Sequence, residues 1–207
     1  MQAPRRPRAE ARAVAGPVLY FVRHGETDWN AQGRLQGSQD TELNARGRVQ
    51  AETAARVLRG LVRDVARLDF VASPMRRTRD TMEILRGTLG LPREAYRLDP
   101  RLVEISFGDW ERHTWPEVRD RDPDGAAARE ADKWGYVPPG GESYANLAER
   151  LAPVAADLAH DTVMVAHGGV ARALLTILAD APTARAPHFD IWQGRVLVVQ
   201  DRLWRWV

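Results

Sequence analysis

The sequence predicts an α/β sandwich built on a largely parallel sheet. Short apolar runs bounded by turn residues recur at 17–24 (PVLYFVRH), 67–74 (RLDFVASP) and 161–169 (DTVMVAHGG), each too short for a typical helix, so each reads as a buried strand. Stretches with helical spacing separate or follow these runs. Strands alternating with helices favour parallel pairing with helices packed on the sheet.

Taken in order, residues 1–16 (MQAPRRPRAEARAVAG) read as a flexible Arg-rich tail, because no continuous apolar stretch follows the arginines as a secretory signal would require. The first strand runs into a loop punctuated by Gly33, Gly37 and Gly47. The segment 47–61 follows, where Val49, Ala54, Val57, Leu58 and Leu61 recur with helical spacing. After the second strand, Ser73 suits an N-cap and Pro74 the first helical position, predicting a helix through MRRTRDTMEIL. The region 106–145 is rich in Gly, Pro, Trp and charge; it predicts short helices that cover something, since long irregular segments inside a compact domain are usually functional. GVARALLTILAD forms a helix behind the third strand, and the C-terminal GRVLVVQDRLWRWV reads as a hairpin or two edge strands, making the sheet mixed. With 207 residues and 44% hydrophobic composition, residues 17–207 form one domain in which 106–145 is the covering or substrate region.

Composition excludes several classes of function. The chain has no cysteine, so neither a disulfide framework nor a thiolate metal site is possible. No apolar run approaches the ~20 residues needed to cross a bilayer, and the expected location is cytoplasmic. The sequence pI of about 9.4 invites a nucleic-acid reading. Yet residues 1–16 carry a net charge of +3, leaving 26 basic and 27 acidic residues in the rest, so the predicted domain has no excess charge to bind a phosphate backbone. No nucleic-acid or membrane partner is expected.

In open α/β sheets, ligands bind beyond the carboxyl ends of the strands, where loops lead into helices. The three strands end in Arg23-His24-Gly25, Ser73-Pro74-Met75-Arg76 and His167-Gly168-Gly169, which places two histidines and two arginines on one rim. Arg76 falls in the first turn of its predicted helix, where the macrodipole disfavours a cation unless an anion offsets it. Gly168 and Gly169 open a helix with little side-chain bulk, allowing an anion to approach the backbone N–H groups. The rim reads as a phosphate site.

RHGETDWN, SPMRRTRDT, the glutamate of RLVEISFGDWE, and AHGG occur in the order of the four signatures of the histidine phosphatase superfamily, in its phosphoglycerate-mutase-like branch, which the sequence resembles from about residue 17 to 180. The resemblance implies a three-layer α/β/α sandwich and a phosphohistidine intermediate. It implies His24 as nucleophile, Arg23, Arg76 and His167 around the phosphoryl group, and Glu104 as proton donor. Asn30 matches the phosphate-pocket asparagine of RHGxxxxxN, Gln36 and Gly37 hold the usual substrate-contact position, and Gly168 belongs to the phosphate-binding helix start.

The chemistry agrees with these roles. A neutral imidazole can attack phosphorus and split hydrolysis into two steps. Guanidinium groups offer fixed bidentate donors to the phosphoryl oxygens, and His167, if protonated, adds another donor. A carboxyl group alternating between acid and base serves the leaving group and then water; Asp109 and Glu111 are close rivals of Glu104 in sequence. No metal or other cofactor is expected. His24, His167 and Glu104 are zinc-ligand types, but two arginines beside a dication would be costly.

Gln36, where mutases usually carry a small hydroxyl residue, resembles the phosphatases, so hydrolysis of small phosphorylated metabolites is expected; phosphoglycerate mutase-type transfer is the alternative, and turnover-free binding of phosphorylated ligands a more distant one. Two residues depart from the pattern: Arg112 stands where the family usually has Gly, either reaching an acidic substrate or pointing outward, and Ala166 replaces the common Ser before HGG. Trp110, Trp115 and Trp134 serve as lid packing or as pocket lining. The C-terminal RLWRWV offers an exposed edge for pairing with a second copy as a homodimer.

Overall fold

The computed structural model describes residues 15–207, so most of the predicted tail lies outside the described residues. Gly16, assigned to the tail by sequence, instead joins the fold: its N–H donates to Asp201 Oδ1 at 3.0 Å and its carbonyl accepts from Gln200.

In chain order the elements are β1 (Leu19–Arg23), α1 (Asp28–Ala31), α2 (Ala45–Leu61), β2 (Asp69–Ala72), α3 (Arg76–Thr88), β3 (Arg97–Leu98), α4 (Trp115–Arg121), α5 (Pro123–Ala131), α6 (Tyr144–Ala156), β4 (Thr162–Ala166), α7 (Gly168–Leu178), β5 (Leu197–Gln200) and β6 (Leu203–Trp206). They build a six-stranded sheet of order β3-β2-β4-β1-β5-β6. The first four of these strands run parallel, while β5 and β6 are antiparallel. The hairpin between β5 and β6 turns on Asp201 and Arg202, both at positive φ, the backbone twist that suits a two-residue hairpin.

The apolar runs are continuous because both sheet faces are covered. Leu19, Phe21, Met164 and Ala166 point to the side where α6 and α7 pack, with Leu147, Leu151, Leu174 and Leu175. Tyr20, Val22, Val163 and Val165 point to the other side, against Ala54, Ala55 and Leu58 of α2 and Met82 and Leu85 of α3. The result is an α/β/α sandwich with a mixed sheet. In α2 the buried stripe differs from the expected one: Val49 is 58% exposed, and the buried face is centred on Ala51, Ala54, Ala55 and Leu58. The small alanines let the helix lie close to the sheet.

The region 106–145 forms α4, α5 and their flanking turns over the carboxyl rim. It has its own apolar cluster of Leu35, Trp110 and Val118, joined by Trp115 and Tyr136. Trp110 is buried and donates from Nε1 to Asp122; Trp134 stacks on Tyr144; only Trp115 of the three lines the cavity below. Arg112 points outward and donates to Gln39 Oε1 at 3.0 Å. Its φ of 73° lies in the left-handed region, which explains why glycine is the natural residue at this turn.

Candidate active site

Because β2, β4 and β1 are parallel neighbours, their carboxyl ends open on one rim, and a cavity of about 1130 Å³ lies between that rim and the covering region. His24 follows β1 and is 3% exposed, with its N–H bonded to Ala166 O. Its Nδ1 lies 2.7 Å from Gly25 O. A carbonyl only accepts, so Nδ1 carries the proton and Nε2 keeps its lone pair. The next residue must be glycine, since a Cβ at Gly25 would sit 2.2 Å from Gly47 O at the start of α2.

His167 caps α7 and is fully buried, its ring centroid 5.2 Å from that of His24 in an edge-to-face arrangement. Burial, reinforced by the charges of Arg77 and Arg23, holds His24 well below the ordinary imidazole value of 6.5. His167 is lowered likewise, by burial and then by Arg77, His24 and Arg23. Burial and the neighbouring guanidinium charges thus favour neutral forms of both rings, the unprotonated of the two states left open above for His167.

The arginines divide unexpectedly. Arg23 lines the cavity and donates from Nη1 to Ile191 O at 2.9 Å. Arg76 does not line it: its side chain points outward and pairs with Glu42 at 2.5 Å, while its backbone N–H donates to Asp40 Oδ1. Arg77 is the second cation of the site, fully buried and donating to Gly37 O and Gln39 O at 2.9 and 2.6 Å. The reason is helical phase. The helix begins at Arg76, two residues after Pro74, with Met75 rather than Ser73 at the cap position. The carboxylates that answer the macrodipole there are the protein's own Asp40 and Glu42, so the anion inferred at Arg76 is not needed. Arg77 shares the buried stripe of Thr81 and Leu85, whereas Arg76 shares the outer one with Asp80 and Glu83. That periodicity was the available signal for Arg77. Burial lowers its guanidinium to about 10, with Glu104 and Asp40 opposing, so it remains charged at neutral pH.

Glu104 lines the cavity, its two oxygens accepting from Ile105 N at 2.9 Å and Gly169 N at 3.1 Å. Gly169 allows this approach, since a Cβ there would lie 2.5 Å from Glu104 Oε1. Neither rival carboxylate reaches the cavity. Asp109 is exposed. Glu111 is buried under the Gln36–Gln39 turn, where it accepts from Ser38 N, Ser38 Oγ and Gln39 Nε2.

Asn30, Gln36, Gly37 and Gly168 all line the cavity. Asn30 Oδ1 accepts from Thr27 and Gln193, and Gln36 Oε1 accepts from Thr41, so each amide has its acceptor side occupied and its NH₂ donors left over.

Among the described residues, three buried side-chain nitrogens have no hydrogen-bond partner: Arg23 Nε, Arg77 Nε and His167 Nδ1. All three belong to side chains grouped around His24. Buried donors left unpaired are costly unless a ligand completes them, and two guanidinium groups specify that ligand as an anion. No group of three or more His, Asp or Glu side chains among the described residues is arranged to hold a metal ion.

A mixed-sheet α/β/α sandwich with a buried histidine among partnerless guanidinium donors has the chemistry to receive a phosphoryl group. Comparison with known proteins gives the family: residues 19–206 match the histidine phosphatase superfamily (branch 1), and the chain belongs to it. It is 39% identical over 184 residues to glucosyl-3-phosphoglycerate phosphatase of Mycobacterium tuberculosis, covering 82% of this chain and 78% of that one. It is 35% identical over 177 residues to 6-phosphofructo-2-kinase/fructose-2,6-bisphosphatase of Gallus gallus, covering 84% of this chain but only 35% of that longer protein. The structure of alpha-ribazole phosphatase from Shigella flexneri superimposes with a TM-score of 0.77 at 26% identity, covering 90% of this chain and 93% of that one. Among the described residues no helix is long and apolar enough to cross a membrane.

Proposed function

We propose that the protein hydrolyses small phosphate monoesters through a phosphohistidine on His24. The observation that carries this is the set of three partnerless buried nitrogens around a buried imidazole whose Nδ1 is committed to Gly25 O. With Nδ1–H held there, the Nε2 lone pair attacks phosphorus and the ester P–O bond breaks. Arg23, Arg77, His167 and the amide of Asn30 donate to the phosphoryl oxygens, Arg77 taking the place proposed from sequence for Arg76. Glu104 gives its proton to the leaving alkoxide; a water then attacks the phosphohistidine as Glu104 takes a proton back, releasing phosphate and restoring His24. The arginines supply the positive charge, so no cofactor is needed.

The cavity has room for a sugar-phosphate-sized substrate. Arg172 and Arg23 both lie near Gly168: a Cβ there would be 3.4 Å from Arg172 Nη1 and 3.7 Å from Arg23 Nε. Arg129 lies over Trp115, 4.3 Å from its ring centroid. Neither Arg129 nor Arg172 is in an ion pair among the described residues, and both line the cavity. Two such cations fit a substrate carrying a second anionic group, in keeping with the phosphoglycerate and bisphosphate in the relatives' names. We assign the protein to the cytoplasm, without nucleic-acid or membrane partners, and its edge strand β6, where Leu203 is 75% exposed, to pairing in a homodimer.

The test is phosphate release from p-nitrophenyl phosphate in the presence of chelator. Turnover by the wild type that vanishes in His24→Ala is expected; turnover that survives the substitution refutes the nucleophile. For the second anion, Arg129→Ala lowers kcat/KM for 3-phosphoglycerate more than for glycerol phosphate; equal losses refute that part.

A further inference from the structure

Ser73 directly follows β2 and is fully buried beside the site. Its backbone is satisfied, with N–H donating to Val165 O and the carbonyl accepting from Thr78 Oγ1. Its hydroxyl lies 2.9 Å from His167 Nε2 and accepts a long bond of 3.5 Å from Met75 N. A hydroxyl has one proton to give, and His167 Nε2 is the one acceptor within its reach among the described residues. If Nε2–H instead donated to the serine, both the hydroxyl proton and the Nδ1 lone pair would be left without a protein partner, whereas with Ser73 donating only Nδ1–H is left.

We propose that Ser73 donates to His167 Nε2 and so holds His167 as its Nδ1–H tautomer, making a neutral ring a hydrogen-bond donor to the transferring phosphoryl group. Nδ1 is the atom that has no protein partner. The other tautomer would present a lone pair to phosphoryl oxygens, which repel it. Fixing the proton on Nδ1 supplies the donor that a protonated imidazole would give, without a third buried cation beside Arg23 and Arg77, and the lowered affinity of this ring for a second proton agrees with that. Ser73 is thus a positioning residue acting through His167. What Nδ1–H faces rests on the phosphoryl-transfer function proposed above; the tautomer itself does not.

The test reads the tautomer directly, in the full chain labelled with ¹⁵N-histidine. The protein has five histidines, so the ring-nitrogen spectrum is simple, and His167→Gln identifies the His167 signals. At neutral pH, His167 is expected with Nδ1 protonated and Nε2 bare. A proton on Nε2, or a mixture of tautomers, overturns the proposal whether or not the protein is a phosphatase. In Ser73→Ala the preference for Nδ1–H is lost, and competitive inhibition by inorganic phosphate weakens about tenfold, one hydrogen bond to a charged ligand. An unchanged tautomer in that variant also overturns it. Should Ser73→Ala not fold, the wild-type spectrum decides alone.

Discussion

Exchanging adjacent arginines separates the two assignments that the SPMRR segment allows. Arg77→Met removes two donors that hold Gly37 O and Gln39 O and the buried, partnerless Nε. Leaving the buried carbonyl of Gly37 unpaired costs about 1–3 kcal/mol and the half-buried one of Gln39 less, part of which is returned because a buried charge is removed with them. The net expectation is a loss of roughly 2 kcal/mol in stability. Loss of a donor to developing phosphoryl charge lowers kcat by about 10²–10³-fold. Arg77→Lys keeps a charge but cannot serve both carbonyls and the phosphate, so it falls between these limits. Arg76→Ala removes only an ion pair with Glu42 whose side chains are 48% and 57% exposed; such pairs are worth at most about 1 kcal/mol, and kcat is unchanged. Steady-state hydrolysis of p-nitrophenyl phosphate, with urea unfolding of each variant, measures both quantities. An Arg77→Met enzyme as fast as wild type, or an Arg76→Ala enzyme as slow as that expected for Arg77→Met, would refute the reasoning from helical phase.

Other expectations follow from the same geometry. Glu104→Gln slows alkyl phosphates far more than p-nitrophenyl phosphate, whose leaving group needs little protonation; equal slowing counts against the acid role. Arg112→Gly removes a left-handed non-glycine residue at φ 73° and raises stability by about 0.5–1 kcal/mol in urea unfolding, with the substrate profile unaltered; a less stable variant would show that the Gln39 contact outweighs the strain. His24 and His167 have folded values below 6.5, so the unfolded chain binds more protons and stability rises with pH. Each ring's share is present above the unfolded value and falls by up to about 1.4 kcal/mol per pH unit as pH drops below 6.5 toward the folded value. Unfolding curves of His167→Gln between pH 7 and 5 should therefore be shallower in pH than those of the wild type; equal slopes contradict a neutral His167.

Much of this protein is written locally. The three apolar runs are long enough for strands and too short for helices, and each ends in polar residues and glycines; with helices between them, they lead to a parallel sheet and one functional rim. Arg23, His24, His167 and Gly168 reach that rim because a strand's carboxyl end has only one place to go, whereas Asn30, Gln36 and Gly37 are placed there by the family resemblance. The start of α3 was less legible. Its first N–H is met by Asp40, 36 residues earlier in the chain, a cap that the local sequence does not show. Likewise Glu104, Asp109 and Glu111 are three carboxylates within one short segment, and what separates them is distant in sequence: Gly169 N for Glu104, solvent for Asp109, the Ser38 turn for Glu111. Ser73, read as a helix cap, became the partner of a histidine 94 residues away. Periodicity records which face of an element is apolar. Which polar side chain meets a cavity is decided by long-range packing, and only the folded chain brings those partners together.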